Sequence, residues 1–362
     1  MAIALVTNVL APYRVPLYAL LAERYGVELL CFGAAADYVP SWFGDLERQL
    51  ADAPFPARRI GGPAAALRLG RRYDAAIAPV AGGAMLPATY FGMRMWGKPF
   101  VLWGSVWAHP RGGKASLGWP LVRHVYRRAD AVVTYGEHVR RYVARYRGRD
   151  DDVVIAPQSV EAKLFGRPVA PDEIAAWRAE HALPDGPLVL YVGRLVPEKG
   201  IEELLAAWRR VEGATLAVVG DGPLAAAVEA TPNARLLGPL PRERLPVAYT
   251  AADLLVLPSI PTPRFREPWG LVCNEALHQG TPVVATTAVG AVAGGLIRDG
   301  ETGLVVPAND PAALAAAIGR LLSDPALRTR LGEGGRAALA GHTYAAMADA
   351  FGVALARAGA LR

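Results

Sequence analysis

Short apolar runs that stop at glycine, proline or asparagine, each followed by a stretch of helical periodicity, recur along all 362 residues. This alternation constrains the fold more than any other feature, because strands joined through helices lie parallel and are covered on both faces. Strands are expected at 2–6, 28–32, 75–78, 100–102, 131–134 and 153–155, and again at 188–193, 215–219, 254–257, 283–286 and 304–306. Helices are expected at 16–24, 114–128, 137–149, 201–211, 271–279, 312–322, 325–339 and 344–358. The Trp-, Phe- and Pro-containing stretch 37–56 is expected as a long loop. The length suits two domains rather than one core. Prolines 168, 171 and 184 punctuate a linker between them.

Composition excludes several classes. Hydrophobic residues make up 52% and charged residues 20%, which leaves little room for disorder. With two cysteines, Cys31 and Cys273, a disulfide framework is not expected, and a reducing, cytoplasmic setting fits. The apolar start, without a basic leader, is expected to be a first strand rather than a signal peptide, and no run is long enough to span a membrane. The net charge of +6 is uneven: residues 1–186 carry 23 Lys+Arg against 17 Asp+Glu, and residues 187–362 carry 16 of each. Arg140, Arg141, Arg145 and Arg147 surround an apolar row of Val139, Tyr142, Val143 and Tyr146 and are expected as a solvated basic face. A basic first half fits peripheral contact with anionic membrane; no nucleic-acid partner is expected.

Chemistry concentrates in Arg264–Gly280, RFREPWGLVCNEALHQG. A strand, a proline-shaped loop and a helix start there in succession, so the N–H groups of Gly270, Leu271 and Val272 lie at the positive end of a helix, where phosphate is readily held. Glu267 and Glu275 are separated by roughly 12 Å or more at ~1.5 Å per helical residue. Glycosidase carboxylates sit about 5–9.5 Å apart across one bond. The wider spacing suits two acceptors gripping opposite ends of a ligand with phosphate between them, as in ribose, diphosphate and sugar. Upstream, Arg194 and Lys199 flank another loop into a helix and reach the same anion, one as a fork and the other as a point charge.

The Glu-x7-Glu spacing around Pro268-Trp269-Gly270-Leu271, the GRLVPEKG segment from Gly193 to Gly200, and the downstream TPVVATTAVGA and GETGLVVPAND segments resemble family 4 glycosyltransferases. The resemblance implies a GT-B fold, with two Rossmann-like α/β domains whose parallel sheets face a central cleft. It implies an acceptor-binding domain at 1–163, a linker at 164–186, a donor-binding domain at 187–343, and a helix within 344–362 that crosses back to the first domain. It further implies retaining, metal-independent transfer from a nucleotide-diphosphate sugar to a sugar or lipid-linked sugar acceptor in cell-envelope biosynthesis, at the inner face of the membrane and without a cofactor. Gly193, Arg194, Lys199, Pro268, Trp269, Gly270, Leu271, Val272 and Glu275 would hold the donor, with Glu267, Arg194, Lys199 and His109 as the catalytic set. The family places a histidine at the sugar-binding mouth nearer the strand end, about where Ser105 stands, so His109 either orients a sugar hydroxyl or packs beside Pro110. Asn8, Tyr13 and Arg14, after the first strand, either face the acceptor or form a packed turn.

Two motifs point elsewhere. Gly220-Asp221-Gly222-Pro223-Leu224-Ala225 matches a dinucleotide fingerprint, the basis of an alternative NAD-dependent oxidoreductase reading, yet Pro223 interrupts it and no acidic ribose ligand follows ~20 residues on. Asp150-Asp151-Asp152 contains an Asp-x-Asp, but at the amino end of a strand, away from the ligand crevice, so no metal site is assigned. A further alternative is a catalytically weak binding protein of the same fold.

Overall fold

The computed structural model describes residues 1–33, 45–81, 83–108 and 113–361. They form two compact units, Met1–Gln158 with Tyr344–Arg362, and Ser159–Thr343. In the first, β1 (Ile3–Thr7), β2 (Val27–Cys31), β3 (Ala57–Arg59), β4 (Ala75–Pro79), β5 (Phe100–Gly104), β6 (Ala131–Thr134) and β7 (Val153–Ile155) form a parallel sheet of order β3-β2-β1-β4-β5-β6-β7. In the second, β8 (Leu188–Val192), β9 (Thr215–Val219), β10 (Ala234–Gly238), β11 (Leu254–Leu257), β12 (Val283–Thr286) and β13 (Leu304–Val306) run parallel in the order β10-β9-β8-β11-β12-β13. The strand order reverses beside the first strand of each unit. Ligands of open α/β sheets bind at that point, outside the carboxyl ends of the strands; in the second unit it lies between β8 and β11.

Strands β1, β4, β5 and β8 are apolar and buried almost throughout because helices cover both faces of each sheet. The last helix, Tyr344–Arg357, lies in the core of the first unit. Its Phe351 is fully buried against Trp103, and Gly352 lies so close to Tyr25 that a Cβ would meet the hydroxyl at 2.2 Å.

Three expectations need correction. Residues 164–186, expected as a linker, cluster with the second unit, which begins at Ser159: Phe165 is buried beside Tyr249, Trp177 is buried on the helix Pro171–Glu180, and the Gln279 amide donates to the carbonyls of Phe165 and Arg167. The stretch expected as a loop contains the helix Leu46–Ala51, capped by Asp45 accepting from the Arg48 N–H at 3.0 Å, and β3 follows it. Strand β3 was missed because this three-residue edge strand has two arginines, paired with Glu28 and Glu47, in place of apolar alternation. The arginines of the helix Glu137–Arg147 are not a uniformly solvated face. The Arg147 side chain is inaccessible, pairs with Asp152 and donates to the carbonyls of Tyr126 and Ala129, while Arg140 pairs with Asp150 at 2.8 Å. Two carboxylates of the Asp-x-Asp string are thereby held by arginines. No group of three or more His, Cys, Asp or Glu side chains is arranged for a metal among the described residues, and none of their helices is long and apolar enough to cross a membrane.

Candidate functional site

The loop after β8 is held by backbone resting on backbone. Leu195 N–H donates to the Asp221 carbonyl at 2.8 Å and Gly193 N–H to that of Val219 at 3.0 Å. A Cβ on Gly220 would lie 1.9 Å from the Gly193 carbonyl oxygen, and one on Gly222 would lie 2.5 Å from that of Leu195. The glycines that mimic a dinucleotide fingerprint therefore clamp the 193–195 loop. At the loop's end Gly200 (φ +70°) lies against the segment after β11, where a Cβ would meet the Pro258 oxygen at 1.9 Å. The Ile260 N–H donates to the Glu198 carbonyl at 3.1 Å. The two loops at the switch point are one fitted piece.

That fit brings Lys199 onto Glu267. Their side chains form an ion pair, 16% and 7% exposed, and the Ser259 hydroxyl donates to the same carboxylate oxygen at 3.1 Å. Thr286, at the end of β12, donates to the Ser259 carbonyl and fixes the segment from behind. The backbone of Glu267 bridges to Val289, so the carboxylate is anchored from both β11 and β12. Lys199 also lies 5.6 Å from the Phe265 ring centre. Arg194, at the other end of the loop, is half-buried and 3.5 Å from Glu198, and the Tyr191 hydroxyl donates to its carbonyl at 2.8 Å.

Next comes the helix Leu271–Gln279. Gly270 enters it at φ +91°, where a Cβ would be 2.5 Å from the Leu257 side chain. The first-turn amides of Leu271 and Val272 have no intrahelical acceptors. Pro268 presses on Gly290, whose Cβ would stand 2.1 Å from the Pro268 oxygen. Trp269 is buried, with its indole N–H donated to Asn274 at 2.7 Å and its ring 5.7 Å from His342; it is a strut beneath the site. Glu275, one turn into the helix, accepts from the Tyr249 hydroxyl at 2.6 Å. Burial pushes its carboxyl up to about 7, against the opposing pull of Tyr249 and Arg242.

Lys199, Glu267, Arg194, Gly270 and Glu275 thus belong to the segments that follow β8 and β11, at the carboxyl ends of the central strands of the second unit. Asn8, Tyr13 and Arg14 belong to the first unit. Arg14 is buried there, donating to Gln158 and, at 3.3 Å, to Tyr135, with its guanidinium over the rings of Tyr13, Trp103 and Tyr135. His109 lies outside the described residues. The sequence reading missed Ser259 and Tyr249. Ser259 had a signal, standing two residues past the carboxyl end of β11; Tyr249 reaches Glu275 from a different helix and had none.

Residues 173–338, all in the second unit, match the model of the family described as glycosyl transferases group 1. The chain is 35% identical over 228 residues to a D-inositol 3-phosphate glycosyltransferase of Acidothermus cellulolyticus, covering 57% of this chain and 48% of that protein. It is 32% identical over 244 residues to a GDP-mannose-dependent alpha-(1-6)-phosphatidylinositol monomannoside mannosyltransferase of Mycolicibacterium smegmatis, covering 61% and 62%. The chain thus spans about half to three-fifths of the length of these relatives. Among solved structures, HepE of Anabaena in complex with UDP and glucose superposes with a TM-score of 0.80 at 19% identity, covering 98% of this chain and 99% of that one. The fold is that of the GT-B glycosyltransferases, and the second unit carries a group 1 glycosyl transferase segment.

Proposed function

We propose that this chain is a retaining, metal-independent glycosyltransferase that moves a sugar from a nucleotide-diphosphate donor to a hydroxyl of a cell-envelope glycolipid or polysaccharide. The observation that carries the reading is the Lys199–Glu267 pair at the switch point, backed by Ser259 and continued by a helix start and Glu275. In the reaction Lys199, Arg194 and the amides near Gly270 take the charge growing on the departing diphosphate, the main lever on such a step. Glu267, released from Lys199 by the incoming phosphate, accepts from sugar hydroxyls and offsets positive charge at the anomeric carbon. Glu275, its second oxygen held by Tyr249, accepts from ribose hydroxyls. A donor phosphate oxygen takes the acceptor proton on the same face, so no enzyme nucleophile forms a bond to sugar. Two side-chain cations and a helix terminus at the diphosphate support independence from metal. The mannosyltransferase relative, named for a phosphatidylinositol mannoside, supports a lipid-borne acceptor, met through contact of the first unit with anionic lipid.

The test is a thermal-shift series with UDP and GDP, with and without EDTA. A bound nucleotide raises the midpoint as ln(1 + [L]/Kd). A shift with one nucleotide, unchanged by EDTA, and a product that keeps the donor's anomeric configuration are expected. Loss of the shift on chelation, restored by Mn²⁺, overturns metal independence, and no shift with either nucleotide overturns the donor assignment.

A further inference from the structure

Among the described residues seven large hydrophobic side chains are exposed, and five of them, Leu67, Phe91, Met95, Trp96 and Leu121, belong to neighbouring segments of the first unit packed around the helix Met85–Arg94. Phe91 and Met95 are one turn apart along the helix Met85–Arg94 and its cap. Leu67, Met95 and Trp96 share a recess of about 360 Å³ with Arg68 and Arg71. The Phe91 ring stacks on His124, 6.0 Å away, one turn beyond Leu121. The backbone explains why these side chains point outward. Gly92 lies against the segment 66–67, where a Cβ would meet the Ala66 oxygen at 2.4 Å, and Gly70 lies equally close to Gly92 and Trp96. With no space between the segments, the large groups are displaced to the surface, and Trp96 remains 48% exposed and Met95 64%.

The same stretch concentrates the charge. Residues 61–128 contain ten lysines and arginines and one acid, Asp74, which pairs with Lys98. Arg68, Arg71 and Arg123 have no carboxylate partner among the described residues, and Arg71 lies 5.3 Å over the Trp96 ring. The basic helix Glu137–Arg147 differs, with Arg140 and Arg147 committed to aspartates.

We infer that this face, with Trp96 and Met95 at its centre and Arg68 and Arg71 beside them, docks the first unit on an anionic lipid bilayer. Tryptophan at a membrane interface puts its apolar body among acyl chains and its polar edge among headgroups, and unpaired arginines meet the headgroup charge. Rings and cations interleaved without acids match that boundary. The inference rests on the membrane-borne acceptor proposed above and gives that contact a location.

The test is co-sedimentation of the full chain with vesicles of phosphatidylcholine alone or mixed with phosphatidylglycerol, at low and high salt. Wild type should bind only the anionic vesicles and lose binding as salt rises. Trp96→Ser with Met95→Ser should weaken binding at least roughly tenfold. Arg68→Gln with Arg71→Gln, which keeps the apolar set, should weaken it roughly 25-fold, at about fivefold per cation. Arg145→Gln, on the other helix, should change it little. Each variant should keep the wild-type melting midpoint and nucleotide shift, so failure here is distinct from failure of the donor assignment. Indifference of wild type to phosphatidylglycerol overturns the inference. So does binding that survives both double variants, and so does a dimer in gel filtration that Trp96→Ser dissolves, since a second copy would then cover the face.

Discussion

The loop after β1 and the loop after β8 occupy the same place in two sheets that reverse strand order alike, yet they use their cations in opposite ways. The first turns Arg14 inward, where three aromatic rings and Gln158 enclose it and burial plus hydrogen bonding commit it to structure. The second pairs Lys199, 16% exposed, with one carboxylate, the partner that the proposed donor phosphate would displace. A cation enclosed from every side holds a fold together; a cation held from one side can change partners.

The largest effect should come from the displaceable partner. Glu267→Gln should lower kcat by about 10²–10³ while leaving nucleoside diphosphate affinity within about threefold, as steady-state kinetics and calorimetry would measure. Near wild-type turnover breaks the contrast, because Glu267 would then be structural too. Arg14→Met should act on stability: losing charge-assisted hydrogen bonds and cation–π contacts costs about 3 kcal/mol. Slowed hydrogen exchange in the first-unit strands should fall by the equivalent of about 10² in opening equilibrium, with donor affinity untouched. A stable Arg14→Met protein with weakened acceptor kinetics would place Arg14 in the site instead.

Glu275 allows a pH test. Burial pushes its carboxyl up to about 7, and in the proposed role it accepts from ribose hydroxyls in its ionised form. Nucleotide affinity should therefore fall about tenfold for each pH unit below 7, and Glu275→Gln should flatten the slope. The same group runs the other way for stability. Its folded-state value is raised, so the empty protein loses stability as pH rises from the ordinary carboxylate range to about 7. The smallest expected effect is that of Ser259→Ala: about fivefold in kcat, with an unchanged midpoint, for one hydrogen bond to Glu267. Rescue by Ser259→Thr would show that the bond itself is what matters.

The second unit was legible because its signals are local. Buried strands are short apolar runs, the Glu267 to Glu275 spacing is set by one loop and one helix, and Gly200 and Gly270 mark left-handed backbone beside the site. What escaped depends on distant partners. The enclosure of Arg14 is made of Trp103, Tyr135, Gln158 and Met347, which no window joins. Arg147 is four residues past Val143 and so extends the apolar row, a clue outweighed by its charge until Asp152 is seen to return to it. The outward hydrophobic face of 67–96 follows from Gly70 and Gly92 in contact, and a sequence shows two glycines without showing that they touch.

The Lys199–Glu267 pair also bears on which ligands the proposed site would accept. A lysine that already has its own counter-ion gains little from inorganic phosphate, because taking it separates a 7% exposed carboxylate from its cation. A ligand is well received when it supplies an anion for the lysine and hydroxyl donors for the glutamate together. If the proposed function holds, the pair acts as a lock with two wards, favouring a molecule that carries phosphate and sugar on one frame over free phosphate.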